Sequence, residues 1–158
     1  MKRQLVFLPI AASEMDVLSG EIAVADRVAY TVTPRLLEEL GYGENDSEDA
    51  EYAALVLASV AGLAAHGIRL VVVTEVDPSL VSAGEDPANG QVVLAELPTR
   101  SITSWFADEP GTDVTDAAAI SKDLSIDQAW DLDQVQDLLN HHDLLWNDVV
   151  EYRRHKED

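Results

Sequence analysis

Residues 47–76 read SEDAEYAALVLASVAGLAAHGIRLVVVTEV. The segment divides into one long helix from Ser47 to Ala65, a stop at His66-Gly67 and one strand from Ile68 to Val76. No formally charged residue lies between Glu51 and Arg69, so most sides of the helix must be covered. Leu70-Val71-Val72-Val73-Thr74 follows without a charge, and a strand so apolar is covered on both faces. The pair therefore belongs at the centre of the fold. Ala53, Ala54, Ala58, Ala61 and Gly62 keep the helix slim enough to approach its neighbours closely, while Leu55, Leu57, Val60 and Leu63 supply volume. Gly67 suits the left-handed residue that closes a helix, with His66 near the negative dipole end.

Working outward, Gln4 to Ile10 predicts a first strand ending near Pro9. A short helix, Ser13 to Ser19, stops at Gly20. Val24 to Thr33 alternates as a second strand, and Thr33-Pro34 supplies the cap and first residue of a helix through Leu40. Beyond the centre, Pro78 to Val81 is a single turn, and Gly84, Pro87 and Asn89-Gly90 mark more turn chemistry. Gln91 to Leu97 and Ser101 to Asp108 are strands four and five. Their short connector predicts adjacent antiparallel neighbours. A helix runs from Thr112 or Asp113 to Ser121, and a second from Leu124 to Asn140. Leu144-Leu145-Trp146 is a candidate sixth strand. Asp148 to Glu151 has capping-box spacing for a last helix, which ends in Arg153, Arg154, His155 and Lys156.

The 158 residues suffice for one domain with a sizeable core, and 47% are apolar, so the chain is globular. It carries 30 acidic against 10 basic residues, a formal charge of −20. Such a field repels nucleic-acid phosphate and anionic lipid, and it suits solubility or basic partners. With no cysteine there is no disulfide, thiol chemistry or thiolate-bound metal. Met1-Lys2-Arg3 with Leu5 to Ala12 is too short for a signal peptide, and the uncharged run Tyr52 to Ile68 is mostly alanine, a poor membrane span. Cytoplasm is the expected location, with no nucleic acid and no membrane as partner.

Glu44, Asp46, Glu48, Asp49 and Glu51 gather before and within the first turn of the long helix, where the positive dipole end favours carboxylates. The loop lacks the EF-hand glycine and terminal glutamate, so capping and solvation outweigh a cation site. No P-loop, nucleophile elbow, H-E-x-x-H or dinucleotide fingerprint occurs, and no cofactor is expected.

Several short stretches match a known pattern: Val32-Thr33-Pro34, Glu51-Tyr52-Ala53-Ala54-Leu55, Val71-Val72-Val73 through Asp77, Ser104 to Asp108, and His142-Asp143-Leu144-Leu145-Trp146-Asn147-Asp148. Together they span nearly the whole chain, and the last is the most specific. In this order they resemble an uncharacterised family of small acidic actinobacterial proteins with a domain of unknown function. Asn147 departs from it, standing where that family often has an aromatic residue. The resemblance implies an intracellular protein and carries over no activity or site.

These readings predict one α/β domain: a mixed sheet of five to six strands, helices on both faces, and parallel pairing among the first three strands. If those strands are parallel, their carboxyl ends gather Ile10, Thr31, Thr33, Thr74, Glu75 and Asp77, and Glu75 with Asp77 could do acid–base work in a small-molecule or metal-dependent enzyme. His141-His142-Asp143 with Trp146 is a further polar-aromatic cluster, for which structural capping outweighs a metal site. Trp146 is expected to close the core beside Leu144 and Leu145, at a cost of about 3–5 kcal/mol on truncation. The leading functional expectation is a non-catalytic acidic protein that contacts a basic protein surface. The enzyme using strand-end carboxylates is the alternative.

Overall fold

The structure is a computed structural model describing residues 3–21 and 23–157, with side chains for all of these except 44 and 155–157. Met1, Lys2, the Glu44 carboxylate and the side chains of His155 and Lys156, which entered the sequence reading, lie outside the described residues.

The long helix is α2, Ser47–His66, closed by Gly67 at φ 72°, and it leads into β3, Leu70–Val76. Ala54 and Ala58 are fully buried, and a Cβ on Gly62 would come within 3.1 Å of Pro9 Cβ, so the small residues do bring α2 down onto its neighbours. The remaining strands are β1 (Gln4–Pro9), β2 (Ala25–Thr31), β4 (Val81–Ala83), β5 (Gln91–Glu96), β6 (Ile102–Ala107) and β7 (Leu145–Asp148). Among the described residues, seven strands form one sheet in the order β4-β5-β2-β1-β3-β6-β7. The added strand, β4, falls in a stretch that the sequence marked only by its turn residues.

Every pairing is antiparallel, which overturns the parallel arrangement expected for the first three strands. The cause lies in strand order. β2 and β3 both run antiparallel to β1 and hence in the same direction, joined by a helical crossover as a βαβ unit requires. β1 is inserted between them, so the two never pair. The fourth and fifth strands of the sequence reading, β5 and β6, are not neighbours either. Their short connector crosses the second face of the sheet, where its 3-10 turn at Thr99–Ser101 touches β3 and the 3-10 helix Ala12–Ser19.

Both faces are covered, as the apolar β3 demands. On the first, Phe7, Tyr30, Val71 and Val73 meet α1 (Pro34–Leu40), α2, α3 (Thr115–Ser121), α4 (Ile126–Trp130) and α5 (Asp133–His141). On the second, Val6, Leu8, Leu70 and Val72 meet the 3-10 helix Ala12–Ser19 and α6 (Val149–Glu157). The single helix expected over Leu124 to Asn140 is broken at Asp131-Leu132. Leu132 is extended at ψ 136°, and Ser125 caps α4 by accepting from the Gln128 N–H at 3.2 Å. Among the described residues, no helix is long and apolar enough to cross a membrane.

Candidate functional site

The strand-end residues singled out from sequence do not assemble. Thr33 is occupied as the N-cap of α1, accepting from the Leu36 N–H at 3.1 Å. Thr74 is fully buried on the second face, with its hydroxyl unpartnered. Glu75 points to solvent from the other face, opposite Leu5. Asp77 accepts from the Ser79 N–H at 2.9 Å, and that bond holds its carboxyl below the usual carboxylate range. Ile10 is fully buried, and the Thr31 hydroxyl donates to the Leu5 carbonyl at 2.6 Å. With the sheet antiparallel, there is no parallel-strand edge at which these groups could converge.

Trp146 lies elsewhere than expected. It is 61% exposed and closes no core. β7 is the edge strand, and Trp146 pairs with Phe106 of β6, on the first face beyond the end of the helical cover. Between this edge and the amino-terminal half of α2 runs a groove of about 350 Å³. Leu5, Phe7, Leu55, Val73 and Phe106 supply its apolar surface. Thr103 and Ser104 add polar atoms where β3 and β6 shift register, Val73 facing Ser104 and Thr74 facing Ile102. Tyr52, 58% exposed, stands on the helix side, and Glu48 and Glu51, one turn apart on α2, complete the lining. Among the described residues, none lining the groove is basic.

Asp143 belongs to a neighbouring, more enclosed cleft of about 200 Å³ that shares Tyr52 with the groove. This cleft is organised by a residue that sequence reasoning missed. Arg69 is 2% exposed, the largest fully buried side chain among the described residues. Its Nε donates to Asp108 Oδ2 at 3.1 Å, its Nη2 donates to Asp108 Oδ1, and Nη2 also donates to the His142 carbonyl at 2.9 Å. A buried guanidinium is tolerated only with such partners. The arrangement pins the end of β6 and the segment leading to β7 against the start of β3. It therefore positions Trp146 indirectly. A signal was present in the sequence: Arg69 is the lone formal charge between Glu51 and Glu75.

The His141-His142 pair does structural work. His142 lends its carbonyl to Arg69, and His141 Nδ1 lies 2.8 Å from the Asp137 carbonyl. No group of three or more metal-ligating side chains occurs among the described residues. A second ion pair, Arg27 to Glu14 at 2.6 Å, sits beside His66. The Arg27 guanidinium holds the Glu14 carboxyl below its ordinary value, and burial, with Arg27 nearby, lowers the His66 imidazole below its ordinary value.

With the geometry in place, comparison with known proteins settles the family. The family of unknown function DUF6912 matches residues 4–154. The chain belongs to that family. Neither a curated protein nor a solved structure matches it. The match takes in every strand of the sheet, the groove and the Arg69 cleft, so this DUF6912 protein carries them within the family region.

Proposed function

We propose that this DUF6912 protein is a non-catalytic docking protein that receives a basic, apolar-faced segment of another protein in the groove between α2 and β6–β7. One observation carries the reading. Trp146 and Tyr52, 61% and 58% exposed, flank an apolar groove whose lining contains Glu48 and Glu51 and no cation. Exposed aromatic rings are costly to leave wet and are the side chains that most often anchor partners. Their faces attract Lys and Arg, and the nearby carboxylates favour the same guests. The net charge of −20 steers basic segments toward the molecule before contact.

The test must separate docking from mere attraction to an acidic surface. A fluorescein-labelled peptide of alternating Leu and Arg serves as probe, with anisotropy as readout. The double variant Glu48→Gln/Glu51→Gln should weaken binding by at least about tenfold, and Trp146→Ser by a similar factor. Glu85→Gln/Glu96→Gln, an equal charge change at the opposite end of the sheet, should change it less than about twofold. Equal losses from both pairs of charge variants would reduce the binding to non-specific attraction and defeat the proposal.

A further inference from the structure

The cleft beside the groove has a chemistry of its own. Arg69 uses Nε and Nη2 on Asp108 and on the His142 carbonyl. Its Nη1 has no hydrogen-bond partner among the described residues, and it is not among their buried unpartnered atoms. Arg69 is among the residues lining this cleft and is 98% out of solvent, so the cleft is the place where its spare N–H groups can meet an acceptor. Tyr52 and Trp130 present aromatic rings to the same space, and Asn140 presents an amide that makes no hydrogen bond among the described residues.

We infer that this cleft binds a small, uncharged cyclic amide, and this does not depend on the docking role proposed for the groove. Each feature of the ligand follows from a feature of the cleft. Nη1 requires an acceptor. Asp108 already balances the guanidinium, Asp143 lies in the same wall, and the whole molecule carries −20, so a neutral carbonyl is favoured over a carboxylate or phosphate. Asn140 offers both an acceptor and a donor, which suits an amide N–H next to that carbonyl. Tyr52 and Trp130 favour a flat ring. About 200 Å³ matches one such ring.

The test uses three named probes and protein labelled with nitrogen-15. Uracil is a flat ring with adjacent carbonyl and N–H groups. Pyrimidine has the same ring without them. Orotate is uracil bearing a carboxylate. Uracil should produce saturable shifts of the Trp130 indole and Arg69 Nε–H resonances, and leave Trp105, on the other face, unmoved. Pyrimidine should bind at least about tenfold more weakly, the worth of the missing hydrogen bonds, and orotate no more tightly than uracil. Asn140→Leu, at an exposed position whose side chain makes no hydrogen bond among the described residues, should weaken uracil about tenfold. The assignment is overturned by unsaturable or absent shifts, by equal binding of pyrimidine, by tighter binding of orotate, or by full binding to the Asn140→Leu variant.

Discussion

Removing the guanidinium of Arg69 is the severest single test of how this fold is held. Arg69→Met keeps the length and apolar stem of the side chain but deletes three hydrogen bonds, two to Asp108 and one to the His142 carbonyl. The Asp108 side chain is 10% exposed, so its carboxylate would be left nearly dry and without its cation. Breaking a buried ion pair in this way costs about 3–5 kcal/mol, a large fraction of the roughly 5–15 kcal/mol that stabilises a domain. Replacing both partners behaves differently. In Arg69→Met/Asp108→Leu neither charge is stranded. What remains lost is the bond to the His142 carbonyl, at about 1–3 kcal/mol. The double variant should therefore be more stable than Arg69→Met alone by about 1–3 kcal/mol. Urea unfolding of the parent, both single variants and the double gives the coupling. A single variant losing less than about 1 kcal/mol, or a double as unstable as the sum of the singles, would show that the Arg69–Asp108 pair does not hold the fold in this way.

Trp146→Ala should cost at most about 2.5 kcal/mol, because about two-fifths of a large ring leaves contact at about 25 cal/mol per Å²; a urea midpoint shifted as far as for a core aromatic would place the ring inside. Gly90→Ala should cost at least about 2 kcal/mol, since the backbone sits at φ 76° and the added Cβ would come 2.5 Å from the Thr31 carbonyl oxygen; unchanged stability would contradict that contact. His66 has a lowered pKa in the fold, so the unfolded chain takes up its proton at higher pH. Its contribution is complete above the ordinary value of about 6.5 and is lost as pH falls from there through the folded value. Stability should consequently fall less steeply between about pH 7 and 5 in His66→Gln than in the parent, with parallel curves as the refuting result.

Some of this architecture is plain in the residues. α2 and β3 could be placed from the charge-free run alone, because an apolar helix and strand of that length have nowhere to go but the centre. Thr33-Pro34 and Gly67 marked helix ends through local chemistry that no distant contact overrides. Strand order was hidden, because the insertion of β1 between β2 and β3 depends on pairings far apart in the chain. β4 is three residues long and carries too little pattern to separate from its turns. The groove was legible only in fragments. Trp146 stood out, but Leu144 and Leu145 beside it suggested burial, whereas the edge position of β7 leaves both Leu145 and Trp146 exposed. Tyr52, Thr103 and Trp146 come from elements about 40–50 residues apart, and only the folded sheet brings them to one surface. Arg69 was visible as an isolated charge, yet its partner Asp108 lies 39 residues away and could not be named from spacing.

In the docking role proposed here the groove, and not acidity in general, selects the partner. A photo-crosslinking residue at Thr103, inside the groove, tests this most directly against one at Ser82, on the exposed edge strand β4 at the opposite end of the sheet. Irradiation in living cells should give a discrete adduct from position 103 with a basic segment of another protein. That adduct should be absent from position 82 and should disappear when Glu48→Gln/Glu51→Gln is combined with the probe. The same adducts from both positions, or an adduct at 103 indifferent to the two glutamates, would mean that the groove does not select the partner.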